Sequence, residues 1–182
     1  MHTKYLIKYY FIDKLEGNNI ESLDSNTSVI YRNYNSKKNI SDILKIQNLC
    51  KKKKIKFFIS NDLKLAIKLN CDGLYLPSFN KNLSLKGRIF KQNFRIIGSA
   101  HNIFEIRQKE LQGVKKLFIS SVFKKNKNYL GIYKFLKLKE ITKKDVVPLG
   151  GVNCENIRYL KCFNILSFAG ISAFKKKTPL IN

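Results

Sequence analysis

The chain has 182 residues, of which 44% are apolar, and carries a formal net charge of +24. A chain of this length can bury a core of its own, and its apolar share excludes a wholly disordered protein. It contains no stretch of about 18 uninterrupted apolar residues, as a membrane-spanning helix requires. The N-terminal sequence MHTKYLIKYYFID lacks the long apolar segment and the cleavage site of a signal peptide. We therefore expect residues 1–182 to form one domain in the cytoplasm, with no membrane partner.

The large positive charge is the feature that would suggest a nucleic-acid partner. However, only five of the 36 basic residues are arginine, the side chain favoured for bidentate contacts to phosphates and bases. Asparagine, isoleucine, phenylalanine and tyrosine are also abundant, and these residues share AT-rich codons with lysine. Genome composition therefore explains the charge, and we expect no specific nucleic-acid partner.

The four cysteines, Cys50, Cys71, Cys154 and Cys162, form no CxxC pair, and the histidines are His2 and His101. A structural zinc site needs ligands at closer spacing. We expect reduced thiols that serve as small core residues in a cytoplasmic protein.

Short β-prone runs alternate with amphipathic stretches along the whole chain. The predicted strands are residues 9–13, 28–32, 56–60, 72–76, 95–99, 117–122, 146–149 and 165–169. The predicted helices are residues 39–53, 63–69, 102–112, 129–142 and 153–162. Such alternation predicts a parallel sheet, and eight units favour a (β/α)₈ TIM barrel. Because these barrels usually have about 250 residues, we expect a compact one with short helices.

Details of two helices follow from the same patterns. Ile103, Phe104 and Ile106 are predicted to face inward on the third helix, which Gly113 ends. Asn153 is predicted to cap the last helix.

Polar residues cluster where the predicted strands end, and in a barrel the chemistry lies at these carboxyl ends. The residues are Asp13, Arg32, Asn61 with Asp62, Tyr75, Ser99 with His101, Ser120 with Ser121, Gly150 with Gly151, and Ile171 with Ser172. Loops after the seventh and eighth strands commonly bind phosphate through backbone N–H groups. Gly150 and Gly151 are therefore interpreted either as a tight turn or as backbone that a phosphate approaches closely, and their position favours phosphate.

The order of motifs resembles that of thiamine phosphate synthase and of its relative, the TenI-type thiazole tautomerase, and by this resemblance the chain is identified as a divergent member of their family. The resemblance rests on FFISNDLKLAIKLNCDGLYL, IIGSAHN, VVPLGGVNCENI and FAGISAF, in this order and at the spacing of the family. It implies a barrel enzyme of thiamine biosynthesis whose partners are small phosphorylated thiamine precursors.

The resemblance also implies roles for individual residues. Asn61 would hydrogen-bond the aminopyrimidine diphosphate, Asp62 would ligate Mg²⁺ and Arg32 would clamp the diphosphate. Ser99 would contact the pyrimidine or the diphosphate. The thiazole phosphate would be held by Gly151, Ile171 and Ser172. Each side chain also has a structural alternative: a helix N-cap for Asp62, a solvated rim charge for Arg32 and a strand-end contact for Ser99.

His101 has two interpretations. In the tautomerase branch a histidine at this position is implicated in proton transfer, for which imidazole is suited near neutral pH. Alternatively, His101 is a residue of the turn that enters the following helix.

The chain departs from the family pattern at the diphosphate. The Gln-x-Arg-x-Lys of the second strand is here Ile30-Tyr31-Arg32-Asn33-Tyr34, and the second Mg²⁺ carboxylate falls on Asn80. Residues 124–128, KKNKN, replace a Thr-x-Thr-Lys loop. The thiazole-phosphate half is better preserved than the diphosphate half.

The first functional expectation is a transferase that joins aminopyrimidine diphosphate and thiazole phosphate, giving thiamine phosphate and pyrophosphate, with Mg²⁺ as cofactor. The alternatives are a metal-free thiazole phosphate tautomerase that uses His101, and a non-catalytic barrel that binds a phosphorylated ligand. The oligomeric state stays open.

Overall fold

The computed structural model describes residues 6–15, 20–34, 39–85 and 87–174. Eight parallel strands follow one another around a closed barrel, which the pairing of the first strand with the last completes. The strands are β1 (Ile7–Ile12), β2 (Thr27–Tyr31), β3 (Phe57–Ser60), β4 (Gly73–Leu76), β5 (Arg95–Ala100), β6 (Lys116–Ser120), β7 (Asp145–Leu149) and β8 (Ser167–Gly170). The predicted barrel is thereby confirmed, and every strand end lies within about two residues of its predicted position.

The helices that cover the barrel are short, as expected for a compact barrel. They are α1 (Ile40–Lys52), α2 (Leu63–Lys68), α3 (Ile103–Leu111), α4 (Gly131–Glu140) and α5 (Ile157–Cys162), and a 3₁₀ turn, Ser172–Phe174, follows β8. Between β4 and β5, the described residues contain no helix. Nowhere in the described ranges is a helix both long and apolar enough to cross a membrane.

Polar side chains fix the starts of the first three helices. Asn39 accepts hydrogen bonds from the N–H groups of the first turn of α1, and Asn102 accepts one from Glu105 in α3. Asp62 Oδ1 accepts the N–H of Leu65 at 3.0 Å, so Asp62 is an N-cap of α2, as predicted.

The predicted cap at Asn153 is wrong, because α5 begins only at Ile157. The Oδ1 atom of Asn153 accepts hydrogen bonds from the N–H groups of Glu155 and Asn156. Asn153 therefore closes a separate turn before the helix.

The interior of the barrel is filled largely by aromatic side chains. Its members are Tyr9, Phe11, Ile30, Phe58, Tyr75, Ile97, Phe118, Val147 and Ala169. Phe118 lies at the centre, with ring centroids 4.9 Å from Tyr9, 6.1 Å from Phe11 and 5.7 Å from Tyr75, all edge to face. Edge-to-face contacts of this kind add stabilisation beyond the burial of apolar area.

A second apolar layer packs between the strands and the helices. On α3, Ile106 is fully buried, but Phe104 is 83% exposed and Ile103 is 40% exposed, so the predicted inward positions of these two residues are wrong. Two residues correspond to about 200° around a helix, which places Phe104 on the face opposite Ile106. Ile103 lies in the first turn, at the edge of the barrel.

The prediction for the cysteines is half correct. Cys50 and Cys71 are buried, and burial raises the pKa of each thiol to about 12. These two thiols are therefore protonated and inert at neutral pH. Cys154 and Cys162 are exposed, because they lie before α5 and in its last turn, away from the barrel wall.

We expect Phe118→Ala to lower the free energy of unfolding by about 3–5 kcal/mol, because it empties the centre of the aromatic interior. Urea denaturation of the purified proteins measures the loss. Phe104→Ala is the matched control, and its cost should stay below about 1 kcal/mol. Similar costs for both variants would contradict this description of the core.

Candidate active site at the carboxyl ends of the strands

A cavity of about 430 Å³ lies at the carboxyl ends of the strands, beside β7 and β8. It brings together four of the residues to which the resemblance assigns a role, namely Arg32, Gly151, Ile171 and Ser172. Lys124 and Asn126, from the loop after β6, also line it. The replaced loop therefore supplies a cation to this cavity, although it has lost the hydroxyl groups of the family pattern.

Gly150 and Gly151 join β7 to this cavity, with φ angles of +95° and +76°. A Cβ atom at Gly150 would lie 2.4 Å from Ser121 Oγ, and one at Gly151 would lie 2.5 Å from Lys124 N. The N–H groups of Phe123 and Lys124 both donate to the carbonyl of Gly150. Both glycines are thus required by the close approach of the loop after β6, which accounts for the pair without a ligand.

The cavity also contains backbone donors that an oxyanion could use. Among the described residues, none accepts a hydrogen bond from the amide N–H of Gly151 or of Ser172. Side-chain-free backbone and the start of a 3₁₀ turn leave these N–H groups accessible. Phosphate binding by Gly151, Ile171 and Ser172 stays a prediction that this geometry permits.

Arg32 lies between two cavities. It lines the cavity at Gly151 and a neighbouring one of about 360 Å³, which Asp13, Lys14 and Ile171 also line. Its guanidinium lies over the ring of Phe11, 4.9 Å from the centroid, so a cation–π contact holds it at the mouth of the barrel.

Asn61 and Asp62 follow β3, and neither lines the cavity at Gly151. Asn61 has a φ angle of +57°, and its Oδ1 accepts a hydrogen bond from Asn80 Nδ2 at 2.6 Å. The structure therefore places the side chain of Asn80 in contact with Asn61, the residue before Asp62.

Behind Asn80 lies a buried polar group that sequence reasoning missed. Lys109 is 0% exposed, and its Nζ donates to the carbonyl of Asn80 at 2.6 Å and to Gln112 Oε1 at 3.0 Å. Gln112 Nε2 donates to Asn80 Oδ1 at 3.1 Å. Burial lowers the pKa of Lys109 to about 8, although Glu105 opposes the shift. The sequence contains one signal for this burial. Lys109 lies three residues after Ile106, so the two side chains lie on the same face of the helix.

The donor set for Mg²⁺ is smaller than the family pattern implies. The described residues contain no group of three or more His, Cys, Asp or Glu side chains that could hold a metal. Asp62 supplies a single carboxylate, whereas Asn80 Oδ1 and Asn61 Oδ1 both accept hydrogen bonds from protein groups. Since Mg²⁺ is often held by one carboxylate and substrate phosphates, Asp62 fits this ion only together with a diphosphate.

Ser99 is buried below the mouth of the barrel, where it hydrogen-bonds the phenol of Tyr75. Burial raises the pKa of Tyr75, and the hydrogen bond from Ser99 opposes that shift. The hydroxyl of Ser99 thus has a partner inside the barrel, and its contact with the pyrimidine or the diphosphate stays a prediction.

His101 follows β5 and is half-buried. Its Nδ1 lies 2.6 Å from the carbonyl oxygen of Ser120, which can only accept, so Nδ1 carries the proton. In the neutral ring, Nε2 is then the acceptor. His101 does not line the cavity at Gly151, but Ser120 does.

An aromatic pair stands above the ends of β2 and β4. Tyr34 and Phe79 meet edge to face with centroids 5.4 Å apart, although they are 49% and 60% exposed. The hydroxyls of Tyr34 and Ser60 lie 3.4 Å apart. Tyr34 occupies the position of the missing lysine, so an aromatic contact surface replaces a cation there.

We expect Lys109→Met to make stability less dependent on pH. The pKa of Lys109 in the folded protein is about 8, below its usual value of 10.5. As the pH rises, the folded state therefore loses this proton at a lower pH than the unfolded state does. Stability of the parent therefore rises relative to the variant between pH 7 and 9.5, by on the order of 1–2 kcal/mol. Urea denaturation at both pH values measures this difference.

Lys134→Met is the matched control, since Lys134 is exposed on α4 and its loss removes the same charge. The control should follow the parent at both pH values. If Lys109→Met also follows the parent, Lys109 does not carry a buried ammonium group.

A family model described as thiamine monophosphate synthase matches residues 20–174. A thiamine-phosphate synthase of Pelagibacter ubique (strain HTCC1062) is 33% identical over 146 residues, which make up 75% of this chain and 69% of the relative. Another, of Prochlorococcus marinus (strain AS9601), is 33% identical over 130 residues, or 67% of this chain. The match spans only 36% of that second relative.

A solved structure supports the fold. Thiamine phosphate pyrophosphorylase from Pyrococcus furiosus superimposes with a TM-score of 0.76 over 93% of this chain and 87% of that protein, at 23% identity. The family match extends from before β2 to the 3₁₀ turn after β8, and therefore includes every residue to which the resemblance assigns a role. The chain belongs to the thiamine monophosphate synthase (TENI) family.

Proposed function

We propose that the protein is a thiamine-phosphate synthase, which joins an aminopyrimidine diphosphate to a thiazole phosphate and releases pyrophosphate. The observation that carries this proposal is the cavity at Gly151, where the cations of Arg32 and Lys124 and the backbone donors of Gly151 and Ser172 converge. The proposal includes a cytoplasmic location, which the free thiols of the four cysteines support.

The thiazole phosphate is the ligand that this cavity suits. Its oxyanion can accept hydrogen bonds from the N–H groups of Gly151 and Ser172 and from the Ser172 hydroxyl. Lys124 adds a positive charge from the adjoining loop after β6. Charge-assisted hydrogen bonds of this kind are roughly twice as strong as neutral ones.

We assign Arg32 to the departing diphosphate, and the support for this role is that Arg32 lines both cavities of the carboxyl-end mouth, whereas Lys14 and Lys124 each line a single one. In the reaction, the thiazole nitrogen bonds to the pyrimidine methylene carbon while the bond from that carbon to the diphosphate breaks. Negative charge then grows on the departing pyrophosphate, and a preorganised guanidinium stabilises it. Asp62 would hold Mg²⁺ together with diphosphate oxygens, and the ion would supply further charge neutralisation.

The residues of the diphosphate half of the site predict a low rate of thiamine phosphate formation. Asn80 contributes no carboxylate, and the buried ammonium group of Lys109 lies against its carbonyl. Tyr34 and Phe79 offer an aromatic surface where the family pattern has a cation. We therefore expect binding of the pyrimidine to depend on stacking contacts more than on charge.

The test is to incubate the purified protein with both substrates and Mg²⁺ and to measure thiamine phosphate and pyrophosphate. Ser172→Asp should raise the KM for thiazole phosphate at least tenfold, because its carboxylate repels the phosphate. Asn164→Asp is the matched control, since Asn164 is exposed beyond α5 and gains the same charge. Equal KM values for parent and Ser172→Asp would rule out the phosphate cavity at Gly151.

His101 supports a second candidate, a thiazole phosphate tautomerase. With the proton fixed on Nδ1 by the carbonyl of Ser120, Nε2 is available as a general base. The role needs no metal.

Two variants distinguish the proposed synthase activity from the proposed tautomerase activity. Asp62→Asn keeps a cap for α2 but removes the charge, so it should abolish synthase activity and spare tautomerisation. His101→Gln should do the reverse, lowering the rate of tautomerisation roughly 10²–10⁴-fold. Product analysis by liquid chromatography measures both reactions. If neither reaction occurs and thiazole phosphate still binds, the protein is a binding barrel and both catalytic proposals fail.

A further inference from the structure

A third cavity opens at the opposite end of the barrel, where the strands begin. Its volume is about 350 Å³, within the range of small-ligand pockets. Its floor is formed by the interior side chains Tyr9, Phe58 and Ile97, and five cations line it, namely Lys54, Lys56, Arg95, Lys115 and Lys116. Among its described lining residues, Asp145 is the one acidic side chain.

The alternation of the strands directs three of these cations toward the barrel axis. Lys56, Arg95 and Lys116 each precede by two residues a member of the interior cluster, on β3, β5 and β6 respectively. Residues two apart in a strand lie on the same face of the sheet. In a packed barrel the inward layers are normally bulky and apolar, whereas Lys56 and Arg95 are exposed to solvent at the mouth where their strands begin.

Little in the described protein neutralises these cations. Lys116 Nζ forms an ion pair with Asp145 Oδ2 at 2.8 Å. Within the described ranges, no hydrogen bond or ion pair involves the side chain of Lys56 or of Arg95. The pKa of Lys56 is lowered by burial and further by Arg95 and Lys116, although Asp72 opposes the shift. Holding like charges together costs free energy that a bound anion would offset.

The floor of this cavity adds a neutral donor. Burial raises the pKa of Tyr9 to about 12, with Arg95 opposing the shift and Asp145 adding to it. Its hydroxyl therefore keeps its proton at neutral pH. A concave site with a phenol at its base and cations around it concentrates the positive potential on one small volume.

We propose that this cavity binds a small multivalent oxyanion of the phosphate class, with Lys56 and Arg95 as its main contacts. The site is separate from the cavity at Gly151, because it lies at the other end of the barrel. It does not depend on the synthase activity, so either proposal can fail without the other.

The test uses the five arginines as reporters of position. Their Nε–H signals are resolved by ¹⁵N–¹H spectroscopy, assigned by single Arg→Lys variants and followed during titration of the full-length protein with inorganic pyrophosphate. Sodium chloride at matched ionic strength is the reference titration. We expect the Arg95 signal to shift saturably with pyrophosphate and not with chloride, whereas the Arg32 signal reports binding at the opposite rim.

Lys56→Gln should weaken the binding seen at Arg95 at least tenfold, because it removes one of the two unpaired inward cations. Lys134→Gln is the matched control and should leave this affinity unchanged. The Arg95 signal itself shows whether each variant is folded. The proposal is overturned if pyrophosphate shifts only Arg32, if Arg95 moves no more than Arg88, or if both lysine variants bind alike.

Discussion

Closure of the parallel sheet, through the pairing of β1 with β8, determines where every functional group of this protein lies. Once the ring is closed, each strand points alternate side chains inward, and all strands share one direction. The aromatic interior around Phe118 then separates two mouths with different chemistry. The carboxyl-end mouth presents glycine backbone and Arg32, whereas the other presents an inward layer of cations.

The positive charges of Arg32 and Lys109 lie in different environments. Arg32 is held by the ring of Phe11 and remains at the mouth, where a substrate can reach it. Lys109 is withdrawn from solvent and donates to the carbonyl of Asn80. Its ammonium group adds positive charge behind Asn80, which is itself a neutral side chain.

Much of the barrel could be predicted because its signals are local. Each strand is a short β-prone run, and the cap at Asp62 is visible from a polar residue before an apolar helix. The alternation of helices and strands then fixes the parallel topology. Phe104 and Asn153 were misplaced because the start and rotation of a helix depend on how it docks, which a short apolar pattern does not specify.

The site was predictable only in part, because some of its contacts depend on how the helices dock on the barrel. Arg32, Gly151, Ile171 and Ser172 converge because strand ends meet at one rim, whatever their separation in sequence. The partners of Asn80 could not be found in this way, since they depend on contacts from α3 and beyond its end. The cations at the opposite mouth could not be recognised in the sequence, because the chain contains many lysines. Once the strands are known, their alternation shows that Lys56 lies on the same face as the interior residues, unlike the lysines that precede it.

The tight contact between the glycine pair and the loop after β6 has a mechanical consequence. Phe123 and Lys124 donate to Gly150, and no room exists between the two segments for even a methyl group. The backbones of the two loops therefore cannot move independently of each other. A ligand that displaces the backbone of Lys124 must also displace Gly151, whereas the ammonium group of Lys124 can adjust through its own side-chain torsions.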